Sequence, residues 1–343
     1  MRYPWANIAL LLLLTAQLIT GFIGFTNGEL ERKWLLWLHG IGAYAISLLI
    51  LWKAAIIVSS FRRSRSWGIT RISFLLLIIL LIAALLSGLI WTISGPRYFL
   101  SFSLITIHIF IAAALGGLLL YHIYRYRWIV RHPVAVNRRS FLNLSAVAAA
   151  GAAAWFVKNR TIGLIGLPGS KRRFTGSYKI GSFSGSFPSV SWISDRTPQL
   201  DTTTWQLIIN GAVQHPANYS FHKLLKLDKI DLTAVLDCTG GWYTEQIWRG
   251  IRLADLLETV QPTAPIQSLT IRSTTGYNRR FGLDQASDYI LAYQAAGQPL
   301  KPGNGYPLRL VTPGQRGVNW VKWVSAISLN TTPAFIQSLL PLQ

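Results

Sequence analysis

The chain has 343 residues, of which 51% are hydrophobic and only 13% charged, with a mean hydropathy of +0.36. An ordinary globular chain carries about twice that share of charge, so disorder, a coiled coil and a conventional soluble enzyme are all excluded. Lys and Arg outnumber Asp and Glu by 33 to 12, but unevenly: residues 1–160 hold 16 basic and 2 acidic side chains, and residues 161–343 hold 17 and 10. The first half therefore reads as a membrane anchor with basic punctuation and the second as a globular domain. Much of the basic excess is topological, so nucleic acid is not an expected partner.

Four apolar runs, at 5–26, 34–60, 72–95 and 102–124, each reach or exceed the ~20 residues that a helix needs to cross a bilayer. A fifth and weaker run, mostly alanine, covers 141–157. The segment after the second run carries Arg62, Arg63, Arg65 and Arg71, and that after the fourth carries Arg125, Arg127, Arg131, Arg138 and Arg139. The first and third runs are followed by Glu29, Glu31, Arg32 and Lys33, then by Arg97 alone. Positive residues favour the cytoplasmic side, which places the N-terminus inside and everything after about Lys158 outside. The expected setting is a prokaryotic inner or plasma membrane, crossed several times, with the C-terminal domain periplasmic or extracellular. The fifth run follows Asn137-Arg138-Arg139-Ser140-Phe141-Leu142. That string resembles the twin-arginine export signal, which routes domains folded around a cofactor; the other reading is a pair of positive anchors.

Three of the six histidines, His39, His108 and His122, lie in or at the ends of these runs. Ionisable groups inside a membrane are costly enough to imply function. At 1.5 Å rise per residue, His39 lies about 7 Å and His108 about 9 Å below the outer edge. Matching depth on separate helices suits two axial ligands of one haem, and Gly40 and Gly42 would give a macrocycle room. The alternative is a pair of interfacial, hydrogen-bonding side chains. His108 and His122 are fourteen residues apart, a spacing that resembles di-haem cytochromes b, but the position fourteen after His39 is Lys53. One outer haem b is expected, and an inner one is not.

Residues 161–203, rich in Gly, Ser and basic side chains, read as a flexible tether. Beyond it, strands are expected at 205–210, 234–237, 268–273, 289–293, 307–312 and 323–329, with helices at 220–226 and 253–259, giving an α+β domain of mixed strands. Its Cys238 is the only cysteine in the chain, so no intramolecular disulfide forms. It stands at a strand end before Thr239, Gly240 and Gly241, where a backbone can approach a bulky ligand and a soft thiolate suits a metal. The competing reading of a lone cysteine is a small buried hydrophobe.

Four ordered motifs then carry a family likeness over about 125 residues. They are Trp205-Gln206-Leu207-Ile208-Ile209-Asn210-Gly211 followed by His215-Pro216, and Asp237-Cys238 with Gly240-Gly241 and Trp248-Arg249-Gly250-Ile251-Arg252. The others are Gly305-Tyr306-Pro307-Leu308-Arg309-Leu310-Val311, and Lys322-Trp323-Val324. Together they resemble the molybdopterin domain of the sulfite oxidase family, including the periplasmic methionine sulfoxide reductases that pair with a haem-bearing membrane subunit. The resemblance implies molybdenum with molybdopterin, held by the Cys238 thiolate. Asn210, His215, Thr239, Gly240, Arg316, Gly317, Asn319 and Lys322 would bind the pterin, although relatives often have a basic residue where this chain has Asn319. Tyr243 and Arg280 would act on a small-molecule substrate. The stretch after Cys238 contains no arginine, and Trp242 and Tyr243 make an aromatic rim suited to a substrate larger or less charged than sulfite.

The expected protein is thus multi-domain. Residues 1–128 form an all-α transmembrane bundle of four cytochrome-b-like spans, and 129–160 the cytoplasmic linker and fifth helix. Residues 161–203 form the tether and 204–343 the molybdopterin domain. Its expected activity is oxygen-atom-transfer redox chemistry linked to the quinone pool or another redox carrier. The alternatives are a haem-free anchored molybdoenzyme and a non-catalytic binding module.

Overall fold

The computed structural model describes residues 4–63, 68–126, 138–192 and 195–337. Two compact units divide the chain, Met1–Tyr178 and Lys179–Gln343. Arg65, Arg127, Arg131 and Asn137, which belong to the basic segments and the export-like string, lie outside the described residues.

The first unit contains α1 (Pro4–Thr26), α2 (Lys33–Arg63), α3 (Ile69–Ser94), a short hairpin of β1 (Tyr98–Phe99) and β2 (Phe102–Ser103), α4 (Leu104–Tyr126) and α5 (Arg138–Ile165). Among the described residues, these five long helices are long and apolar enough to cross a membrane. Leu14, Ile46, Leu77, Leu115 and Leu119 join α1 to α4 in one buried cluster. Other large apolar side chains point outward, with Leu51 72% and Leu120 69% exposed. Helix α5 packs on α2 where Gly151 permits it, since a Cβ there would come within 2.9 Å of Ile41 O.

The expected tether is not loose. Gly166, at φ +71°, ends α5, and a short turn over Pro168–Lys171 packs on the end of α3. A Cβ on Gly169 would fall 2.0 Å from Thr92 O. Trp91 Nε1 donates to Gly176 O at 2.8 Å, and Tyr178 OH donates to Trp91 O at 2.8 Å. Glycine-rich composition here marks close contact rather than freedom. Further on, Ile180 N donates to Tyr243 O at 2.9 Å, so the rest of the expected tether belongs to the second unit.

The strands of that unit are β3 (Tyr178–Lys179), β4 (Gln206–Gly211), β5 (Ala217–Ser220), β6 (Ile230–Asp237), β7 (Trp242–Arg252), β8 (Ser268–Ser273) and β9 (Asn278–Gly282). They continue with β10 (Ile290–Ala295), β11 (Gln298–Pro299), β12 (Arg309–Val311) and β13 (Val324–Asn330), and the short helices are α6 (Phe221–Leu224), α7 (Leu253–Glu258) and α8 (Leu283–Ala286). One sheet runs β11-β10-β7-β3, with β12 on β10 and β6 on β7; the other runs β5-β4-β13-β8-β9. In the second sheet pairing is antiparallel except between β4 and β13, which are parallel and make that sheet mixed. Alternate residues such as Leu207, Ile209, Leu269 and Ile271 are fully buried between the layers. Strand β7, not foreseen, escapes an apolar-alternation reading because Thr244 and Gln246 are both 0% exposed. Their burial is tolerated because Gln246 Nε2 donates to Gly181 O at 2.6 Å and to Thr244 Oγ1 at 2.7 Å.

Candidate active site

The β6–β7 hairpin ends on the pair Asp237 and Tyr243, and the loop between them carries the cysteine. Cys238 N donates to Trp242 O at 2.8 Å, and Gly241, at φ +91°, closes the turn in the left-handed region where glycine is favoured. Gly240 N points back and donates to Cys238 Sγ at 3.3 Å. The thiol is 8% exposed. Burial pushes its pKa up, opposed by the Gly240 N–H and the Arg316 charge. A buried thiol already facing an N–H and cations is set to become a thiolate once a metal replaces its proton.

A second loop, between β12 and β13, crosses behind the cysteine. Arg316 Nη1 lies 3.2 Å from Asp237 Oδ1, and Nη2 donates to Cys238 O at 3.2 Å. The main chains touch at Gly317, where a Cβ would sit 3.1 Å from Cys238 Cα. A third loop, between β11 and β12, brings Asn304, and Arg309 follows it at the start of β12. Arg309 Nη1 donates to Asn304 O at 2.9 Å, and its guanidinium lies 5.7 and 5.6 Å from the Trp248 and Trp320 ring centres. Lys322 Nζ donates to Ser191 Oγ at 2.8 Å and Gly303 O at 2.9 Å.

The cavity these loops enclose is lined by Cys238, Trp242, Asn304, Arg309, Gly317 and Lys322, among others. Its charge is unbalanced, because Asp237 faces Arg316 and, among the described residues, no carboxylate lines the space itself. Burial lowers the Arg309 pKa to about 10. Burial, reinforced by the Arg309 charge, lowers that of Lys322 to about 7. Among the described residues, the buried Trp242 Nε1, Arg309 Nε and Thr312 Oγ1 have no hydrogen-bond partner. A soft thiol, surplus positive charge and unused polar atoms fit an anionic metal cofactor, the molybdenum–pterin group above all.

Of the residues expected from sequence, the cavity gathers Cys238, Gly317 and Lys322, with Gly240 and Arg316 directly around the thiol. Thr239 is in the cysteine loop but not on the cavity wall. Asn319 stands one step back, its Oδ1 accepting from Arg279 Nε at 2.9 Å and its Nδ2 donating to Gln315 Oε1 at 2.9 Å. Asn210 is instead in the other sheet, accepting from Ser328 Oγ at 2.6 Å, and His215 is exposed after β4. Tyr243 follows Trp242 on β7, so strand alternation sends its side chain to the opposite face. Arg280 also faces away, donating to Thr270 Oγ1, Thr332 Oγ1 and Ile336 O. Its neighbour Arg279, 6% exposed and without a carboxylate partner among the described residues, is the buried cation of the pair. Sequence reasoning did not single out Asn304 or Arg309 as site residues, and of the adjacent pair Arg279 and Arg280 it settled on Arg280. The available signal was a lone arginine inside the apolar string Leu308-Arg309-Leu310.

In the first unit, His39 and His108 face each other with ring centres 6.2 Å apart and planes at 80°. Thr20 Oγ1 is 3.1 Å from His39 Nδ1, and Ser87 Oγ is 3.1 Å from His108 Nδ1, which also lies 3.0 Å from Ala84 O. The glycines beside the rings are Gly21 and Gly88, not Gly40 and Gly42. A Cβ on Gly21 would be 3.1 Å from His39 Cε1, and one on Gly88 would be 3.4 Å from His108 Cε1. Trp155 Nε1 and Gln17 Nε2 fill the space next to Gly40 and Gly42, within 2.4 and 2.2 Å of a Cβ. His122 stacks on Phe74, and Lys53 Nζ donates to Asn7 Oδ1, so neither joins the pair.

Comparison with known proteins agrees with this site. Residues 194–336 match the family described as oxidoreductase molybdopterin binding domain. The chain is 27% identical over 164 residues to a nitrate reductase [NAD(P)H] of Hordeum vulgare, covering 38% of this chain and 18% of that protein. It is 28% identical over 168 residues to the sulfite oxidase of Arabidopsis thaliana, covering 37% and 42%. It is 29% identical over 130 residues to the uncharacterized oxidoreductase YuiH of Bacillus subtilis, covering 37% and 66%. Among solved structures, the sulfane dehydrogenase SoxCD of Paracoccus pantotrophus matches at 27% identity and a TM-score of 0.38, covering 40% of each chain. The chain thus spans less than a fifth of the plant nitrate reductase's length, and the family match lies within the second unit. Residues 194–336 form a molybdopterin-binding oxidoreductase domain of the sulfite oxidase and nitrate reductase family.

Proposed function

We propose that the protein is a membrane-bound molybdenum oxidoreductase that performs oxygen-atom transfer on the outer face of a prokaryotic plasma membrane. It exchanges electrons with the quinone pool, or another carrier, through one haem b between His39 and His108. The observation that carries the reading is the Cys238 thiol on the wall of a cavity with surplus positive charge. When bound there, the molybdenum cofactor supplies two-electron oxygen-atom-transfer chemistry. Cys238 supplies the thiolate, and the Gly240 N–H and Arg316 stabilise its charge. Arg309 and Lys322 neutralise the anionic cofactor, and Trp242 walls off water on the side where substrate approaches. With no arginine between Thr239 and Tyr243, that wall suits a sulfoxide-like substrate better than a small dianion. The proposed bilayer partner rests on five sufficiently long apolar helices and on the apolar side chains they expose.

The haem reading is supported by the histidine separation. Two imidazoles ligating one metal at about 2.0–2.1 Å place their ring centres roughly 6–6.5 Å apart, and here the value is 6.2 Å. Hydroxyls at both Nδ1 atoms fix each ring and direct Nε2 to the metal. Molybdenum and iron measured per chain, in detergent-purified protein from a host that makes molybdenum cofactor, test both halves. About one of each is expected. Molybdenum without iron would overturn the haem, and neither metal in folded protein would overturn the enzyme reading.

Two further outcomes concern the pterin cradle. Arg279→Gln is expected to loosen cofactor retention roughly tenfold or more, the worth of a charge-assisted hydrogen bond, whereas Arg280→Gln leaves it unchanged. Molybdenum retained after gel filtration reads the difference. Lys322, with its pKa lowered from 10.5 to about 7, is neutral in the empty site above that pH. An incoming anion restores its charge, so cofactor binding takes up a proton and weakens as pH rises above about 7. Retention measured against pH should fall in wild type and flatten in Lys322→Met.

A further inference from the structure

The turn that packs on α3 brings two unneutralised cations together. Arg172 Nη1 donates to Thr92 O at 3.2 Å and also to Gly169 O, while its Nη2 donates to Asn159 Oδ1. Lys158 Nζ donates to the same Asn159 Oδ1 at 3.1 Å and stands 5.9 Å from the Tyr44 ring centre. The Tyr44 hydroxyl is buried and has no hydrogen-bond partner among the described residues. Every acceptor around the two cations is neutral. Residues 1–178 contain only two acidic side chains, Glu29 and Glu31, and Glu29 pairs with Arg32 at 3.1 Å. Two half-buried positive charges on one amide oxygen, beside an unused phenol, call for an anion that this unit does not supply.

Two helices give the depth of the cluster independently. Lys158 lies three residues beyond Trp155, whose indole fills the space next to Gly40, the neighbour of His39. Thr92 lies four residues beyond Gly88, which faces His108. At 1.5 Å per residue, the main chain at Lys158 and at Thr92, whose carbonyl Arg172 holds, therefore stands about 4.5–6 Å from those neighbours of the histidines, in each case toward the C-terminal ends of α3 and α5. Haem propionates extend beyond the ring edge by a distance comparable with one helical turn.

We infer that Lys158, Arg172 and the Tyr44 hydroxyl form a carboxylate clamp for the propionates of the haem, an inference that rests on the haem reading above. The turn that covers α3 thereby becomes a retaining strap for the cofactor. Arg172 binds one carboxylate through its guanidinium, Lys158 the other, and Tyr44 donates its unused proton. Asn159 holds both cations in position.

The test uses the full-length, haem-loaded protein with Arg172→Gln, Lys158→Gln, Arg172→Lys and, as a control in the same turn, the exposed Lys171→Gln. Haem loss to excess apomyoglobin, the optical midpoint potential and phosphate from co-purified phospholipid are measured for each. Haem loss roughly tenfold faster is expected in the two glutamine variants of the clamp, from a charge-assisted bond removed. Their midpoint potentials should also fall, because a cation beside the haem favours the more negative reduced form. Arg172→Lys should restore most of both, and Lys171→Gln should match wild type. Unchanged haem loss and potential in a haem-bearing protein would overturn the clamp alone. Loss of phospholipid with haem untouched would also overturn it, identifying lipid phosphate as the anion. Wild type purified without haem would overturn the clamp together with the haem reading.

Discussion

Cys238→Ser should abolish turnover and strip or disable the molybdenum, while the optical spectrum of the proposed haem stays intact. Serine nearly matches cysteine in volume, so the 8%-exposed position and the Gly240 and Trp242 main-chain bonds survive. What changes is the donor. A hydroxyl holds its proton at neutral pH and is hard where molybdenum and its dithiolene partner favour soft sulfur. The loss should exceed the ~10–100-fold that removal of an outer-shell partner costs, because a direct ligand is removed. Molybdenum per chain and substrate turnover, measured on the same preparation, check it. Wild-type activity in this variant would exclude Cys238 as the metal ligand.

His39→Ala and His108→Ala should each remove the bis-histidine haem spectrum and uncouple molybdenum chemistry from the quinone pool. Neither should change the molybdenum content, because the two centres are on separate units. The supporting hydroxyls offer a graded version. Thr20→Val and Ser87→Ala leave both ligands but release their Nδ1 atoms, and each should weaken haem retention by ~10–100-fold. An unaltered haem spectrum in either alanine variant would remove that histidine from the ligand set.

How much of this was legible in sequence depended on whether the signal was local. The cysteine loop was, because a lone thiol followed by two glycines names its own surroundings. That His39 and His108 stand at one level was legible too, since rise per residue is fixed and their ring centres lie 6.2 Å apart. Which glycines stand beside the rings was not, because that depends on neighbouring helices: Gly21 and Gly88 lie on α1 and α3, not on the ligand-bearing helices. Arg309 reaches the cysteine only because β12 pairs with β10, which in turn pairs with β7, a placement no spacing along the chain reveals. The choice of Arg279 over Arg280 is a matter of strand register, in which a shift of one residue exchanges the faces. The 166–178 segment misled for a different reason. Its composition resembles a linker, yet its glycines are small so that main chain can lie against main chain.

The two helical hairpins of the first unit repeat one design, Thr20-Gly21 with His39 and Ser87-Gly88 with His108. They part company fourteen residues further on, where one has Lys53 and the other His122. Below the histidines, Leu14, Ile46, Leu77, Leu115 and Leu119 close the interior with hydrocarbon. If the proposed haem is held between His39 and His108, it is a single redox stop with an apolar plug beside it, and the described residues offer no second histidine pair to relay an electron further along the bundle. Charge reaching a haem at the outer depth proposed for that pair would cross little of the membrane field, so its reduction would do almost no work against the transmembrane potential. On the proposed reading, the helical unit would serve as a docking point for electrons on one face, not as an electrogenic wire.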